Sequence, residues 1–396
     1  MFKRRIVLPV GASVEETDHV IGHELVHAFQ FDITSQAHPR YATAAPTALR
    51  LPLWFIEGMA EYLSIGPDDP NTSMWMRDAS RRKEIPTIKK LEDTYRYFPY
   101  RYGQALWSYI TGKYGDEVVS RIMSGVGRIG DFEAVMQKVL GTPLKNLGTD
   151  WQAALNKAYT PLLEKTQLID KSSRPIFKGT EQNPYNISPA LRPDGKEMVF
   201  LSTKDLFSID MFLAEPETGK IMQKITNTAV DPHFESLGFI TSAGSWNAAG
   251  NKFVLGAVSK GNPILSIFDA DKRKTEKEIP FPELGEILNP TWSSDGRHIA
   301  FSALAGGLTD IFIYDLEKQS TRRMTDDPYG DIHPAWSPDG RSIAFVTDRF
   351  TTDLSILKPG DYEIALMDPE SGKITKVQGF KNAKNINPQW SPDSKS

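Results

Sequence analysis

The sequence contains no cysteine among its 396 residues. Disulfide bonds and thiolate metal ligands are therefore excluded, and any transition metal must be bound by histidine and carboxylate side chains. Apolar runs are short as well, since none approaches the roughly 20 residues of a membrane-spanning helix. The apolar stretch at the start of the sequence is too short for a secretory signal peptide. We therefore expect no membrane span, and no targeting segment marks the compartment.

Clusters of basic residues are also scarce. The largest occupies residues 81–83, and Glu84 follows it directly, which is typical of a solvated turn rather than of a phosphate-binding surface. The formal net charge is −4 and 40% of the residues are hydrophobic, as in ordinary globular proteins. The composition thus does not favour nucleic acid as a partner. The length predicts two or three domains.

The first chemically informative stretch is H-E-L-V-H at residues 23–27. On a helix, this spacing places His23 and His27 one turn apart on one face, with Glu24 beside them. Two neutral imidazoles at that spacing can bind one zinc ion. A neighbouring carboxylate can then take a proton from a zinc-activated water that attacks a carbonyl carbon. The pattern predicts metal-assisted hydrolysis, although so short a motif also occurs by chance.

The flanking sequence predicts how this helix is placed. Residues 13–16, S-V-E-E, match a capping box that begins a helix. Ile21, Leu25, Ala28 and Phe29 have the spacing of an apolar helix face. We therefore expect that face to pack on a core and the histidines to face a cleft.

A second helix is predicted at residues 53–63, and it carries Glu57 and Glu61 one turn apart. A catalytic zinc ion takes three protein ligands and keeps one open position, so His23 and His27 require a third ligand. The H-E-x-x-H motif followed by W-F-I-E-G-M-A-E-Y resembles the gluzincin metallopeptidases. The resemblance implies that Glu57 completes the zinc site and that Glu24 is the general base.

The resemblance gives Glu61 a role as well. In thermolysin-like gluzincins a carboxylate at this offset hydrogen-bonds the free ring nitrogen of a zinc-binding histidine, which fixes the orientation of the ring. Two alternatives remain open at the sequence level. Glu61 can be a polar residue of the helix surface, or it can replace Glu57 as the metal ligand.

A third segment, P-Y-R-Y-G-Q-A at residues 99–105, resembles the P-Y-x-x-G-x-A segment of gluzincin aminopeptidases. The resemblance implies that the phenol of Tyr100 donates a hydrogen bond to the oxyanion of the tetrahedral intermediate. Alternatively, Tyr95, Tyr97, Tyr100 and Tyr102 form an aromatic patch that packs the domain. Tyr102 is the second candidate for the donor.

The chain departs from the aminopeptidase pattern in one respect. Those enzymes carry a G-A-M-E-N strand before the zinc motif, and its glutamate binds the free amine of the substrate. Residues 7–13 here read V-L-P-V-G-A-S and contain no glutamate. This difference favours internal cleavage over removal of terminal residues. No G-x-S-x-G motif occurs anywhere in the sequence, which excludes the nucleophile elbow of serine hydrolases.

Residues 1–160 are predicted to form a mainly helical domain, with further helices at residues 101–113, 116–124, 132–140 and 149–159. G-V-G-R-I-G at residues 125–130 matches a dinucleotide-binding pattern but follows a helix instead of a strand, so we interpret it as a helix-ending loop. Residues 161–184 lose the helical period and gain proline, lysine, serine and glycine, as a linker does.

Beyond the linker, residues 185–396 repeat one unit. The clearest copy is P-A-W-S-P-D-G at residues 334–340, and the turn glycines at 195, 250, 296 and 340 recur every 44 to 55 residues. That period is near the one expected for a four-stranded propeller blade. The W-S-P-D-G signature resembles the TolB-type β-propeller. A fifth copy begins at Pro388, so we expect about four blades and a propeller truncated at the C-terminus.

Together these features predict a multidomain protein of α and β class, with an α-helical zincin-type metallopeptidase domain and an all-β propeller. Its expected activity is zinc-dependent hydrolysis of a peptide or protein substrate, and the propeller assists by binding the substrate or a protein partner. The combination resembles exported bacterial envelope proteins, which implies a periplasmic or secreted location. Two alternatives are a propeller scaffold with an inactive peptidase-like domain and a zinc amidohydrolase acting on non-peptide substrates.

Overall fold

A computed structural model describes residues 6, 8, 14–37, 51–94, 96–129, 131–167, 169, 172–179, 185–204, 209–226, 244–380 and 384–396. The chain divides into two compact units, whose main parts are Glu16–Ser172 and Ser173–Ser396. The first is helical and the second is a four-bladed β-propeller, so the predicted multidomain fold class is confirmed. Ser13, most of residues 7–13, Tyr95 and Gly130 lie outside the described residues. No described helix has the length and hydropathy needed to cross a membrane.

The helical unit contains seven α-helices in the part of the chain that the structure describes, and a short 3₁₀ helix at Ile88–Glu92. The α-helices are α1 Val14–Ala37, α2 Leu53–Ile65, α3 Pro70–Arg82, α4 Pro99–Tyr114, α5 Glu117–Ile129, α6 Phe132–Leu140 and α7 Leu144–Leu163.

Helix α3 was not expected from the apolar period, because its sequence P-N-T-S-M-W-M-R is largely polar. Its beginning is nevertheless marked by Asp69, whose side chain accepts a hydrogen bond from the Thr72 amide at 2.6 Å, and by Pro70 in the first turn. The predicted bounds of α7 were also too short. The helix begins at Leu144 and includes Pro161, the residue at which the linker was expected to start.

Helix α2 lies at the centre of the helical core. Trp54, Phe55 and Met59 are almost fully buried, and the rings of Phe55 and Trp107 lie 5.1 Å apart between centroids. The indole of Trp107 donates a hydrogen bond of 3.0 Å to the carbonyl oxygen of Phe55, so its polar atom is satisfied inside the core. Burial of so many large side chains fixes the position of α2, and with it the position of Glu57 and Glu61.

Helices α2 and α4 approach each other through a pair of glycines. A Cβ atom added to Gly58 would lie 2.3 Å from the Cα of Gly103, and one added to Gly103 would lie 2.2 Å from the carbonyl oxygen of Trp54. Neither position can accept a side chain unless the backbones separate. The glycines of the E-G-M-A and Y-G-Q-A segments therefore set the distance between the helix of Glu57 and the helix of Tyr100.

We expect Gly58→Ala to lower the free energy of unfolding by about 1 to 3 kcal/mol, because the added methyl group overpacks a backbone contact. Gly112→Ala is the matched control, since Gly112 lies in α4 and a Cβ there meets no atom within 4 Å. That substitution should raise the stability by up to about 1 kcal/mol through helix propensity. Urea unfolding of both variants measures the difference, and equal stabilities would contradict the close helix contact.

The interpretation of residues 125–130 as a helix-ending loop was wrong for residues 125–129, which the structure describes. Helix α5 continues to Ile129, and Gly125 and Gly127 are buried inside it. A Cβ at Gly125 would lie 2.6 Å from Cγ1 of Val135 in α6. The glycine is required by the close packing of α5 on α6 and not by a turn.

The expected orientation of α1 was also wrong. Ile21, Leu25 and Phe29 are 40%, 45% and 67% exposed, so the apolar face is not packed on the core. The buried face carries His23, Gln30 and Thr34 instead. Gly22 permits this arrangement, because a Cβ there would lie 3.0 Å from the Cβ of Ser64 on α2. Polar groups that pair with groups on α2 therefore decide which face of α1 is buried.

Within its described residues, the propeller unit contains four antiparallel sheets, and in each of them strands that follow one another in the sequence lie side by side. The blades are β1 Asn186–Leu191, β2 Met198–Ser202, β3 Asp210–Ala214 and β4 Ile221–Lys224; β5 Ser245–Trp246, β6 Lys252–Ser259, β7 Asn262–Asp269 and β8 Lys274–Pro280; β9 Ile287–Trp292, β10 His298–Ala305, β11 Leu308–Asp315 and β12 Ser320–Arg323; and β13 Asp331–Trp336, β14 Ile343–Thr347, β15 Glu363–Met367 and β16 Ile374–Lys376.

The S-P-D-G turn at residues 337–340, the clearest copy of the repeat, has a local explanation. Ser337 Oγ donates to Asp339 Oδ1 at 2.7 Å and accepts a hydrogen bond from the Ser342 amide at 3.0 Å. Gly340 adopts a φ of +74°, a conformation that favours glycine. The same Ser–Asp hydrogen bond recurs at Ser391 and Asp393, where the fifth copy begins.

Candidate metal centre

The histidines of α1 and Glu57 of α2 converge on one point. Nε2 of His23 and Nε2 of His27 are each 3.2 Å from Oε2 of Glu57, and the two Nε2 atoms are 3.1 Å apart. The three atoms therefore form a nearly equilateral triangle. Helix spacing places the two histidines one turn apart, and the buried helix α2 places the carboxylate opposite both of them.

The dimensions of this triangle fit a zinc ion. Zinc bonds to histidine nitrogen and carboxylate oxygen are about 2.0 to 2.2 Å long, and in a tetrahedron such bonds separate neighbouring ligand atoms by about 3.3 Å. The observed separations of 3.1 to 3.2 Å are close to that value. Two nitrogens and one carboxylate oxygen are also a donor set found in catalytic zinc sites. The residues present thus fit the group that the sequence predicts.

The second ring nitrogen of each histidine has its own partner. Nδ1 of His23 lies 3.0 Å from Oε1 of Glu61. Nδ1 of His27 lies 2.9 Å from Oε1 of Gln30, whose amide nitrogen donates to the carbonyl oxygen of Ile56 at 3.0 Å. Both partners accept hydrogen bonds, so each Nδ1 carries a proton and each Nε2 faces Glu57. These contacts orient both rings as metal-binding histidines are usually oriented.

Glu61 is the centre of a buried hydrogen-bond network. Its side chain is 3% exposed, and Oε1 accepts hydrogen bonds from His23 and from Nε2 of His19, each at 3.0 Å. Oε2 accepts a hydrogen bond of 3.0 Å from Arg101, which also contacts Asp69 at 3.3 Å. The interpretation of Glu61 as a residue of the helix surface is wrong, because the carboxylate is buried among three donors.

The electrostatics of the site follow from these contacts. Burial lowers the pKa of His23, but hydrogen bonds to Glu57 and Glu61 outweigh it and raise the pKa to about 9. Burial raises the pKa of Glu57, but hydrogen bonds from His23 and His27 outweigh it and lower the pKa to about 2. Glu61 behaves in the same way, with a pKa of about 2. A cation that binds between these groups must displace a proton, so its affinity depends on pH.

Tyr100 lies against the site at the beginning of α4. Its ring stacks on the ring of His23, with 5.6 Å between centroids and 14° between planes. Burial raises the pKa of the phenol above its usual range, and the charges of Glu57 and Glu24 raise it further. The phenol thus remains protonated and can donate a hydrogen bond. Glu24, half-buried on α1, is near enough for its charge to act on Tyr100.

Tyr102, the second candidate for the oxyanion donor, lies in a different environment. Its ring contacts Tyr97 at 5.4 Å and Trp75 at 6.2 Å between centroids, both with planes near perpendicular. The aromatic-patch interpretation therefore describes Tyr102 and Tyr97, whereas the ring of Tyr100 contacts His23.

Three residues of the site were missed at the sequence level. His19 lies one helical turn before His23, the same spacing that places His23 and His27 on one helix face, so the signal was present in the sequence. Gln30 follows His27 at a spacing of three, which places it on the same helix face. Arg101 adjoins Tyr100, but only the packing of α4 on α2 brings it to Glu61. In the described residues, the groups that could bind a metal are His23–His27–Glu57 and His19–His23–Glu61, which share His23.

Two protein families match separate parts of the chain. Residues 7–151 match the family described as "Peptidase of plants and bacteria". Residues 239–396 match the "TolB beta propeller domain". The resemblance to a TolB-like propeller is thereby confirmed, and the helical unit contains a region similar to a family of peptidases. None of the curated proteins matches the sequence significantly.

Similar solved structures resemble only part of this chain. TolB from Acinetobacter baumannii is 20% identical with a TM-score of 0.42, and the similarity covers 55% of this chain and 48% of that chain. A putative TolB from Agrobacterium tumefaciens is 24% identical with a TM-score of 0.42, covering 55% and 74%. Hydrazine synthase from Kuenenia stuttgartiensis is 12% identical with a TM-score of 0.38, covering 53% and 60%. The chain thus spans about half the length of the Acinetobacter protein.

Proposed function

We propose that this chain, in which a region similar to a peptidase family precedes a TolB-like propeller, is a zinc-dependent peptidase of the gluzincin type. The observation that carries the proposal is the triangle of His23 Nε2, His27 Nε2 and Glu57 Oε2, with both Nδ1 atoms held by acceptors. A decayed site would have no reason to keep all of these groups in one arrangement. This favours an enzyme over a propeller scaffold with an inactive domain.

In this mechanism His23, His27 and Glu57 would hold zinc. When bound, the ion would supply Lewis acidity for a water molecule and for the carbonyl group of the substrate. Glu24 accepts a proton from the attacking water and delivers it to the leaving amine. Tyr100, kept protonated by burial and by neighbouring carboxylates, donates a hydrogen bond to the developing oxyanion. Glu61 holds the ring of His23 in the orientation that this chemistry requires.

The substrate proposed is a peptide or protein cleaved at internal bonds. The support is the lack of a glutamate in residues 7–13, where aminopeptidases of this type carry the residue that binds the terminal amine. The propeller is proposed to bind the protein substrate or a partner. A location in the periplasm or outside the cell is proposed because the combination of domains resembles exported bacterial envelope proteins.

Removal and return of the metal test the proposed function. The purified chain should contain about one zinc ion per molecule, measured by mass spectrometry of the metal, and should cleave a mixture of unfolded proteins. Chelation should abolish cleavage, and zinc should restore it. Fragments that end at peptide bonds would separate a peptidase from an amidohydrolase acting on non-peptide substrates. Protein that contains no zinc and cleaves nothing would contradict the proposal.

Glu61→Gln tests the orienting contact to His23. Glutamine keeps the size of the side chain, but it removes the charge that three donors share, so zinc affinity should fall by about 10- to 100-fold. Competition with a chromogenic chelator measures the affinity. Glu117→Gln is the control, because Glu117 is an exposed acidic residue in the first turn of α5. Unchanged affinity in Glu61→Gln would show that the network does not act on the metal.

A further inference from the structure

We propose that Trp75, Phe98 and Tyr100 form an aromatic subsite that selects peptides with an aromatic or large aliphatic side chain beside the scissile bond. This inference rests on the proposed peptidase function and names the substrate class of the same site. The three residues are called the aromatic ladder below. Of the three, only Tyr100 was singled out in a sequence motif.

The ladder begins at the metal centre and leads away from it. Tyr100 stacks on His23, and Phe98 stacks on Tyr100 with 5.0 Å between centroids and 26° between planes. Trp75 follows at 5.8 Å and 34° from Phe98. Each ring is thus within the 4.5 to 7 Å at which aromatic rings attract each other. The row of rings is continuous with a residue proposed to bind the metal.

The two outer rings of the row are more exposed than the inner one. The ring of Tyr100 is half-buried, whereas Phe98 and Trp75 are 40% and 38% exposed. Large aromatic rings usually lose most of their contact with water in a folded protein. Two neighbouring rings that remain accessible next to a reactive centre offer an apolar surface to whatever binds there.

The backbone holds the ladder rigidly. Phe98 is the N-cap residue of α4, and Pro99 begins the helix directly after it. Trp75 lies in α3, whose first turn is capped by Asp69, and the ring of Trp75 contacts that of the buried Tyr102 at a near-perpendicular angle. Asp69 also contacts Arg101 of the Glu61 network. A surface fixed in this way needs little ordering when a ligand binds, so more of the contact energy appears as affinity.

The chemistry of the ladder identifies its occupant. Tyr100 contacts His23 directly, so a peptide whose scissile carbonyl is bound at the metal centre would place a neighbouring side chain near Tyr100 and the adjoining Phe98. An aromatic or large aliphatic side chain there buries apolar area on both surfaces and gains ring contacts. A charged or small side chain gains neither. The ladder therefore selects a side chain and leaves the peptide bond to the metal centre.

Cleavage of a complex peptide mixture tests the selection. The full chain is incubated with peptides from a digested proteome, and mass spectrometry identifies the residues that flank each cleaved bond. We expect Phe, Tyr, Trp and Leu to be enriched on one side of the bond. Phe98→Ala and Trp75→Ala should reduce that enrichment and lower kcat/KM for a phenylalanine-containing peptide by roughly tenfold. The loss for the matching alanine-containing peptide should be clearly smaller, because that peptide has no large side chain for the ladder to bind.

Met74→Ala is the matched control, because Met74 is an exposed apolar neighbour on α3 for which no ring contact to the ladder is found among the described residues. Zinc content and thermal unfolding show whether each variant is folded. Trp75→Phe, which keeps a ring, should retain most of the selection. The inference would be overturned if the wild type cleaved peptides without this enrichment. It would also be overturned if Phe98→Ala lowered kcat/KM equally for both peptides. Either result would leave the peptidase function intact.

A binding measurement separates the two proposals. In the full-length Glu24→Gln variant, a phenylalanine-containing peptide should bind about tenfold more tightly than its alanine counterpart, and Phe98→Ala should remove the difference. If the wild type cleaves nothing but this difference persists, the ladder stands and the peptidase function fails. If the two peptides bind equally, the selection of peptide side chains is refuted.

Discussion

Glu24→Gln is expected to abolish detectable cleavage while zinc remains bound. The substitution keeps the shape of the side chain but removes the base that takes the proton of the attacking water, so kcat should fall by roughly 10²- to 10⁴-fold. Glu24 lies on the helix of His23 and His27, and its charge acts on Tyr100. Cleavage of an unfolded protein substrate and the zinc content of the same sample are the two measurements.

Cleavage and zinc content must be compared in the same variant, because each result alone has more than one explanation. Asp18→Asn is the control, because Asp18 is an exposed acidic residue on the same helix, and it should leave both zinc content and cleavage unchanged. Loss of zinc in Glu24→Gln would show that the residue supports the metal centre rather than the proton transfer. Full activity with zinc retained would assign the base to another group.

Glu57→Ala is expected to remove zinc and activity together. The substitution deletes one corner of the triangle and leaves two imidazoles, so the loss of affinity should exceed the roughly 10- to 100-fold assigned above to an outer partner. The variant should be purified with well under one zinc ion per molecule. Metal analysis and chelator competition on the full chain measure this directly.

Comparison with Glu61→Gln distinguishes the ligand from its neighbour. Glu57 faces the two Nε2 atoms, whereas Glu61 faces Nδ1 of His23. If Glu61→Gln lost all zinc while Glu57→Ala retained it, the roles of the two carboxylates would be reversed. Both variants should remain folded, because the apolar core around α2 is formed by other side chains, and circular dichroism checks this.

The sequence predicted the proposed metal ligands better than the residues that orient them. The spacings in H-E-x-x-H and in E-G-M-A-E are local, and a helix converts local spacing directly into geometry. The contact of Arg101 with Glu61 depends on how closely α2 and α4 approach, and that distance is set by Gly58 and Gly103. No local sequence pattern predicts a contact between two glycines that are 45 positions apart.

The orientation of α1 shows why periodicity alone was misleading. Ile21, Leu25 and Phe29 have the spacing of a buried face, but burial of His23 and Gln30 is stabilised by hydrogen bonds to α2 that cannot be read from the spacing. In the propeller, by contrast, each blade has a turn glycine with a positive φ, and the last two blades add a Ser–Asp hydrogen bond whose role is confined to the turn itself. Local chemistry repeated along the chain was therefore sufficient to predict the number of blades.

The polar attachment of α1 has a consequence for the lifetime of the protein. Among the described residues, its contacts with α2 are largely those of His19, His23, His27 and Gln30, and only Val26 and Ile33 pack on the apolar core. A zinc ion held between α1 and α2 would tie together two segments that are far apart in the sequence. Loss of the ion would then loosen α1 and expose its backbone to proteolysis. Molecules that cannot catalyse would be the first to be degraded, so the active fraction of a population would be maintained by turnover.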